Sequence, residues 1–205
     1  MLNLNQIETA EEQKPLELIP DKTSVVAIIN LLGGDEEMSE FGQGMLFKKS
    51  MSSSAVYCPM EFTIIGGNHD KRRVWHNLFV HGDKLDNNGV PVARNIGLNT
   101  LRRMVDSIYN LKKDDMSNEA QQKRNIAGIQ VLQGQQFCFL VGIEPEQNGY
   151  PAKNKMVVPL VPGDKDYISM NNGSMASAAP AAPNGNQSQI SPATASGVVP
   201  SWALK

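Results

Sequence analysis

The chain has 205 residues, which suits one well-buried domain with appendages and is short for two domains. Hydrophobic residues make up 40% of the composition, yet no run approaches the roughly 18 apolar residues that a membrane helix requires. The acidic start shows no basic-then-apolar leader pattern, so we expect a cytoplasmic protein without membrane contacts. The formal net charge is −2, so any surface for a polyanion has to come from local clusters of cations.

Composition divides the chain into three regions. Residues 1–17 form an acidic N-terminal arm, and residues 18–167 hold the β-like and helical patterns of a folded domain. Residues 168–205 are rich in Ala, Ser, Pro, Gly and Asn. We expect this tail to be disordered, because it buries too little surface to offset its ordering entropy. Trp202 and Leu204 form an apolar tip on the tail, which is typical of a partner-docking peptide.

Five β-strands are predicted within the folded region. Each is a short run rich in β-branched, aromatic or other apolar residues, bounded by turn-forming residues. The predicted strands are residues 23–31, 57–65, 71–80, 137–144 and 153–159. Turn signals at residues 66–70 and 147–149 predict that the second and third strands form one hairpin and the fourth and fifth strands another.

One amphipathic helix is predicted at residues 95–111, between the third and fourth strands. Its apolar stripe consists of Ile96, Leu98, Leu101, Met104, Val105, Ile108 and Leu111. Arg102 and Arg103 lie off this stripe, where solvated surface charge explains them better than a binding role. A second, short helix is expected within residues 118–129.

The order of these elements predicts a fold class. Five strands with a helix between the third and fourth follow the order of the OB-fold, a small Greek-key barrel. We therefore expect a mainly β, five-stranded, OB-like barrel, although the strand count also suits other small barrels.

The third strand has a pattern typical of a nucleic-acid-binding surface. Because side chains alternate between the faces of a strand, the expected interior set is Val74, His76, Leu78 and Val80. The expected outer set is Arg73, Trp75, Asn77 and Phe79. Aromatic rings stack on bases while neighbouring cations hold phosphates, and OB-folds present this face to oligonucleotides. The alternative is that Trp75 and Phe79 pack beneath a helix or the N-terminal arm. The adjoining Lys71 and Arg72, with Arg73, bring DNA binding level with that alternative, and both stay open.

Other candidate contacts lie outside the third strand. On the second strand, the outward Tyr57 extends the stacking platform, whereas the outward Glu61 repels phosphate. The remaining candidates are Lys48, Lys49, Tyr150, Lys153 and Lys155. The first two fall in the long segment between the first two strands, where an OB-fold has a binding loop. The last three lie on the fifth strand and just before it.

Catalytic patterns are missing from the sequence. Cys58 and Cys138 sit in apolar runs and are expected to pack in the core. His76 is expected to point inward while His69 and His81 lie in turns, so convergence on a metal is not expected. No phosphate-binding loop or nucleophile motif occurs. We therefore predict a protein that is not an enzyme and has no cofactor and no metal.

With these elements placed, the chain resembles a family of small phage and prophage single-stranded-DNA-binding proteins over about residues 19–167. The stretches that carry the resemblance are residues 19–21, 71–75, 98–111, 134–144 and 150–155. The low-complexity tail that ends in Pro200, Ser201 and Trp202 is also similar.

The resemblance implies an OB-fold without enzymatic activity that binds and protects single-stranded DNA. It also implies a role in phage DNA replication or recombination in the bacterial cytoplasm, with replication or recombination proteins as partners of the tail. The tail has no acidic tip, so recruitment by acidic contacts is not expected. Two other classes stay open. One is a structural or scaffolding virion protein, and the other is a metal-dependent nuclease that uses His69 and Asp70.

Overall fold

The computed structural model describes residues 17–147 and 149–169, so the tip residues Trp202 and Leu204 and residues 1–16 of the arm lie outside the described residues. The described part is mainly β, with seven antiparallel strands in an open sheet and two helices. The strands are β1 (Thr23–Leu31), β2 (Glu36–Glu37), β3 (Met45–Lys49), β4 (Val56–Ile64), β5 (Arg73–His81), β6 (Gln136–Glu144) and β7 (Lys153–Leu160). The helices are α1 (Val92–Ile108) and α2 (Asn118–Arg124). Neither helix combines the length and the apolar character needed to cross a membrane.

The central strand of the sheet is β4. One edge of β4 pairs with β5, and the other edge is shared by β1 and β3. β1 also pairs with β6, and β6 pairs with β7. Because all of these ladders are antiparallel, β5 and β7 run in the same direction. Their Cα atoms approach within 8 Å without a ladder between them, so the described sheet is open along β5 and β7.

The predicted strands and the observed strands agree in part. The five predicted strands correspond to β1, β4, β5, β6 and β7 with small shifts at their ends, and both predicted hairpins are confirmed. The strand count is wrong, because β2 and β3 occupy the segment predicted as a loop, and the helix therefore follows the fifth strand. β5 begins at Arg73 instead of residue 71, since Lys71 takes a left-handed φ of 64° in the preceding turn.

Helix α1 lies slightly closer to the N-terminus than predicted. Its end is set by Asn110, which has a left-handed φ of 55°, and by the N–H of Leu111, which donates to the carbonyl of Asp106 at 2.8 Å. These features form a Schellman motif. Leu111 lies beyond the end of the helix, and its side chain is buried. Ile96 and Leu98 are exposed, so their predicted place on the core-facing stripe is wrong; the later turns of α1 make the core contacts.

An aromatic cluster fills the core between β4 and β6. The ring centroid of Phe62 lies 4.9 Å from that of Phe137 and 5.4 Å from that of Phe139. The predicted inward side chains that are buried are Met60, Phe62, Ile64, Val74, Leu78 and Val80, which confirms the alternation on both strands. Cys58 and Cys138 are also buried, and burial raises the pKa of Cys58 to about 12 and of Cys138 to about 11. Their predicted packing role is confirmed.

Helix α1 bridges the ends of β5 and β7. Gly97 lies so close to β5 that a Cβ atom there would be 2.0 Å from the carbonyl oxygen of Phe79. Two turns later, Nε of Arg103 donates to the carbonyl oxygen of Pro159 in β7 at 2.8 Å, and its Nη2 lies 2.5 Å from Asp164. The helix therefore connects the two strands that share no ladder.

The prediction that Arg102 and Arg103 are solvated surface charges agrees with Arg102, whose side chain is 43% exposed, and is wrong for Arg103, whose side chain is 28% exposed. Arg103 binds β7 as described, and Arg102 pairs with Asp106 at 3.2 Å. Asp106 is only 1% exposed and also accepts from Arg124 at 2.6 Å. A buried carboxylate needs such partners, because burying a lone charge is costly. Arg103 and Arg124 are therefore committed to the fold, whereas Arg102 is an exposed cation that also pairs with Asp106.

The start of the described chain bridges β5 and β7 at the opposite end. The N–H of Ile19 donates to Oδ1 of Asn154 at 2.9 Å, and Nδ2 of Asn154 donates to the Ile19 carbonyl at 2.8 Å. Two residues earlier, the Glu17 carbonyl accepts from Nη1 of Arg72 at 2.5 Å. Ile19 is fully buried. Segment 17–19 thus ties the turn before β5 to the start of β7.

Candidate nucleic-acid interface

The outer surface of β3, β4 and β5 carries aromatic and polar side chains that we term the aromatic face. Its members are Lys48, Tyr57, Glu61, Arg73, Trp75, Asn77 and Phe79. Tyr57 pairs with Phe79 on one side and with Lys48 on the other, and Glu61 pairs with Trp75. Residues that are directly opposite in a ladder lie on the same side of the sheet. The hairpin therefore brings these side chains onto one surface.

Two rings of the aromatic face are open to solvent. Trp75 is 59% exposed and Phe79 is 42% exposed. Within the described part of the chain, no helix covers Trp75, whereas Phe79 borders α1. The alternative that the N-terminal arm covers the rings concerns residues 1–16, which lie outside the described residues. Tyr57 is half-buried, with its ring centroid 5.4 Å from that of Phe79 in a tilted contact. An exposed tryptophan leaves much of an apolar ring in water, and a stacked base would remove that ring from water.

The two exposed rings are too far apart to act on one base. Trp75 and Phe79 are four residues apart on an extended strand, which corresponds to about 13 Å. The face therefore offers two stacking stations, one at Trp75 and one at Phe79 with Tyr57. Asn77 lies between them on the same side of β5, and its exposed amide has both donors and an acceptor.

Glu61 reduces the positive charge next to Trp75. Its carboxylate lies 3.6 Å from a guanidinium nitrogen of Arg73, with its side chain 13% exposed against 61% for Arg73. Arg73 is therefore partly neutralised in the free protein. The guanidinium remains mostly in solvent, where an ion pair is weak and a phosphate can compete for it.

The predicted cations around the aromatic face fall into different environments. Lys48 and Lys49 are exposed, but they lie in β3 and not in a loop as predicted. Lys48 shares the face with Tyr57, whereas Lys49 pairs with Val56. Lys71 is exposed in the turn before β5. Arg72 is half-buried and donates to the Glu17 carbonyl, so it holds segment 17–19. Sequence reasoning could not detect that contact, because it joins residues far apart in the chain.

The third group of candidates lies at the β6–β7 hairpin. Tyr150 is 75% exposed in the turn. Lys153 is exposed at the start of β7 and lies 3.4 Å from Glu144, while exposed Lys155 pairs with Gly142 across the ladder. Because β5 and β7 run in the same direction, this group and Arg73 lie at the same end of the two strands. They therefore lie at the end of the sheet that is nearer to Trp75 than to Phe79.

A cavity of about 210 Å³ opens beside Phe79, between β5 and α1. Its lining residues are His76, Asn77, Leu78, Phe79, Ala93, Ile96, Gly97 and Thr100. Burial lowers the pKa of His76 to about 4, and neither a hydrogen bond nor a charged group offsets this effect. The His76 ring stacks on Phe62 at 6.0 Å between centroids, as expected for an inward side chain. Sequence reasoning missed the cavity, because it depends on how closely α1 approaches β5.

The described residues contain no group of three or more His, Cys, Asp and Glu side chains that could hold a metal ion. No protein-family model matches the chain, and no significant match was found among curated proteins.

Proposed function

We propose that the protein binds and protects single-stranded DNA without catalysis, by stacking bases on the aromatic face and holding phosphates with the surrounding cations. The observation that carries this proposal is the exposed pair Trp75 and Phe79 on one strand, flanked by Lys48 at one end and Arg73 at the other. Aromatic stacking is worth about 1–3 kcal/mol per base and tolerates any sequence. Two stations on one strand thus favour a binder of extended, unpaired chain.

The arrangement of the long strands supports an OB-like architecture for this site. β1, β4, β5, β6 and β7 pair in the order expected for such a barrel, and α1 and segment 17–19 span the remaining gap between β5 and β7. In an OB-fold, the second and third barrel strands and the loops after the first and fourth strands bind oligonucleotides. Here these correspond to the β4–β5 face, the β2–β3 segment with Lys48 and Lys49, and the β6–β7 turn with Tyr150.

Base stacking determines which nucleic acid is preferred. Bases in a duplex are already stacked on one another, so they are unavailable to Trp75 and Phe79. A flexible single strand can turn its bases towards the strand face while its phosphates reach Lys48, Lys71 or Lys153. Of these three lysines, only Lys153 has an acidic partner within 4 Å among the described residues. Because the cations around the face are few and the net charge of the chain is −2, stacking must supply much of the affinity.

The wider role proposed here rests on the resemblance to phage single-stranded-DNA-binding proteins. Coating of exposed strands fits DNA replication or recombination in the bacterial cytoplasm. Trp202 and Leu204 would then recruit a replication or recombination protein by an apolar contact, since the tail carries no acidic residue.

Competition between nucleic acids tests the proposal. A fluorescently labelled oligo(dT) bound to the protein is challenged with unlabelled single strand or with the same length of duplex, at one salt concentration. The single strand should displace the label at a far lower concentration than the duplex. Equal competition by both would mean simple charge attraction and would refute the stacking mechanism.

A further inference from the structure

The cavity between β5 and α1 continues directly from the aromatic face. Phe79 belongs to both, since it lines the cavity and is 42% exposed. Ile96 of α1, which is 62% exposed, also lines the cavity. Ala93, Ile96, Gly97 and Thr100 recur at three- and four-residue spacing, so they lie on one side of the helix. The result is a slot with apolar walls that opens next to a proposed stacking station.

Polar groups are available inside this slot. The hydroxyl of Thr100 donates to the Ile96 carbonyl at 3.0 Å and keeps its acceptor positions free. The amide of Asn77 is exposed at the rim. His76 is neutral at physiological pH because its pKa lies at about 4, and a neutral imidazole offers one donor and one acceptor. Apolar walls with a few hydrogen-bonding groups are typical of small-molecule sites.

We propose that this slot binds one unstacked base of a single strand, with the base between Phe79 and Ile96 and its polar edge directed at His76, Asn77 and Thr100. The inference rests on the proposed function, since it places the base next to a nucleotide on the aromatic face. A nucleobase fits these features because it has two flat apolar faces and a hydrogen-bonding edge.

The slot can be filled from α1, without substituting any residue of the aromatic face. Ala93→Leu adds volume on the slot side of α1 and substitutes one good helix former for another. Asn99→Leu is the matched control, because it introduces the same side chain at an exposed position of α1 outside the lining. Oligo(dT) affinity of Ala93→Leu should fall about 5-fold or more, the loss expected for one base contact, while Asn99→Leu binds as the parent protein does. Thr100→Leu provides a second filling variant with the same expected loss.

A local signal separates this inference from the proposed function. In NMR spectra, the His76 ring resonances should shift on addition of oligo(dT) to the parent protein and stay unchanged in Ala93→Leu. Two results would overturn base binding in the slot and leave the proposed function intact. One is that the parent protein binds oligo(dT) without a shift of the His76 ring resonances. The other is that Ala93→Leu and Asn99→Leu bind oligo(dT) with equal affinity. No binding of oligo(dT) by the parent protein would overturn both.

Discussion

The negative charge of Glu61 provides the sharpest test of the phosphate contacts proposed for the aromatic face. Its carboxylate lies directly across the ladder from Trp75 and 3.6 Å from Arg73. It neutralises part of the Arg73 charge, and it would repel the phosphate of a base stacked on Trp75. Glu61→Gln keeps the shape of the side chain while removing the charge. We expect this variant to bind single-stranded DNA more tightly than the parent protein.

The size of the gain follows from distance. Opposite side chains are about 5 Å apart at Cβ, and we take about 7 Å as the distance between the carboxylate and the phosphate of a stacked nucleotide. Two unit charges at that distance repel by about 0.6 kcal/mol in bulk water and about 2.4 kcal/mol at an effective dielectric constant near 20. These limits correspond to an affinity gain of about 3-fold to 60-fold at low salt. Freeing Arg73 for one phosphate should also steepen the slope of log affinity against log salt by about 0.7.

The assay is anisotropy of labelled oligo(dT) across a salt series, starting near 0.02 M where screening is weak. Glu119→Gln is the matched control, because Glu119 also pairs with a cation, Lys123, but lies on α2. The control variant should bind like the parent protein. Stability should change little in Glu61→Gln, because glutamine keeps the shape of the side chain and an ion pair whose guanidinium is 61% exposed contributes about 0–1 kcal/mol. A stable Glu61→Gln protein with unchanged or weaker affinity and an unchanged salt slope would refute the account of this face.

Three further predictions concern stacking, pH and the tail. Trp75→Ala should lower oligo(dT) affinity about 5- to 150-fold with little change in the salt slope, while Tyr109→Ala, an exposed aromatic on the turn after α1, should have no effect. His76 has a folded-state pKa of about 4 against 6.5 when unfolded, so between these pH values only the unfolded chain binds the proton. The free energy of unfolding, measured in urea, should therefore fall by about 3 kcal/mol from pH 7 to pH 4 because of His76. His76→Phe should lack this part of the loss. If the parent protein and His76→Phe lost the same stability over this pH range, that would contradict the burial of a neutral ring. A chain that ends at Ser169 should keep its oligo(dT) affinity but should no longer retain, in a pull-down assay, a partner that binds Trp202. A loss of DNA binding would show that the tail contributes to the site.

The strands of the sheet follow closely from local sequence. β-branched and aromatic runs with clear turns define β1, β4, β5, β6 and β7, and their alternation predicts which side chains of β4 and β5 enter the core. β2 was missed because two residues are too few to show a two-residue period, and β3 because its three apolar residues followed by two lysines do not alternate. Their existence depends on an edge of β4 that β1 leaves free, which is a tertiary feature.

The site was predicted less completely than the fold, because it depends on strand register and on contacts between residues that are far apart in the sequence. Arg72 looked equivalent to Arg73 in sequence, but only the folded chain shows that it donates to the Glu17 carbonyl. The effect of Glu61 on Arg73 depends on the register of the β4–β5 ladder, which one residue of slip would abolish. Asp106 illustrates the same limit, since nothing local indicates that it is buried between Arg102 and Arg124.

The central claim, that bases stack on the aromatic face, is tested most directly by the fluorescence of Trp75 itself. The chain has two tryptophans, so the titration uses a Trp202→Phe protein in which Trp75 is the only one. Addition of oligo(dT) should quench Trp75 emission until the quenching saturates. The dissociation constant from this titration should equal that from the anisotropy of labelled DNA. Duplex should quench the emission far less. Full binding by anisotropy with unchanged Trp75 emission would place the DNA on another surface and contradict the account.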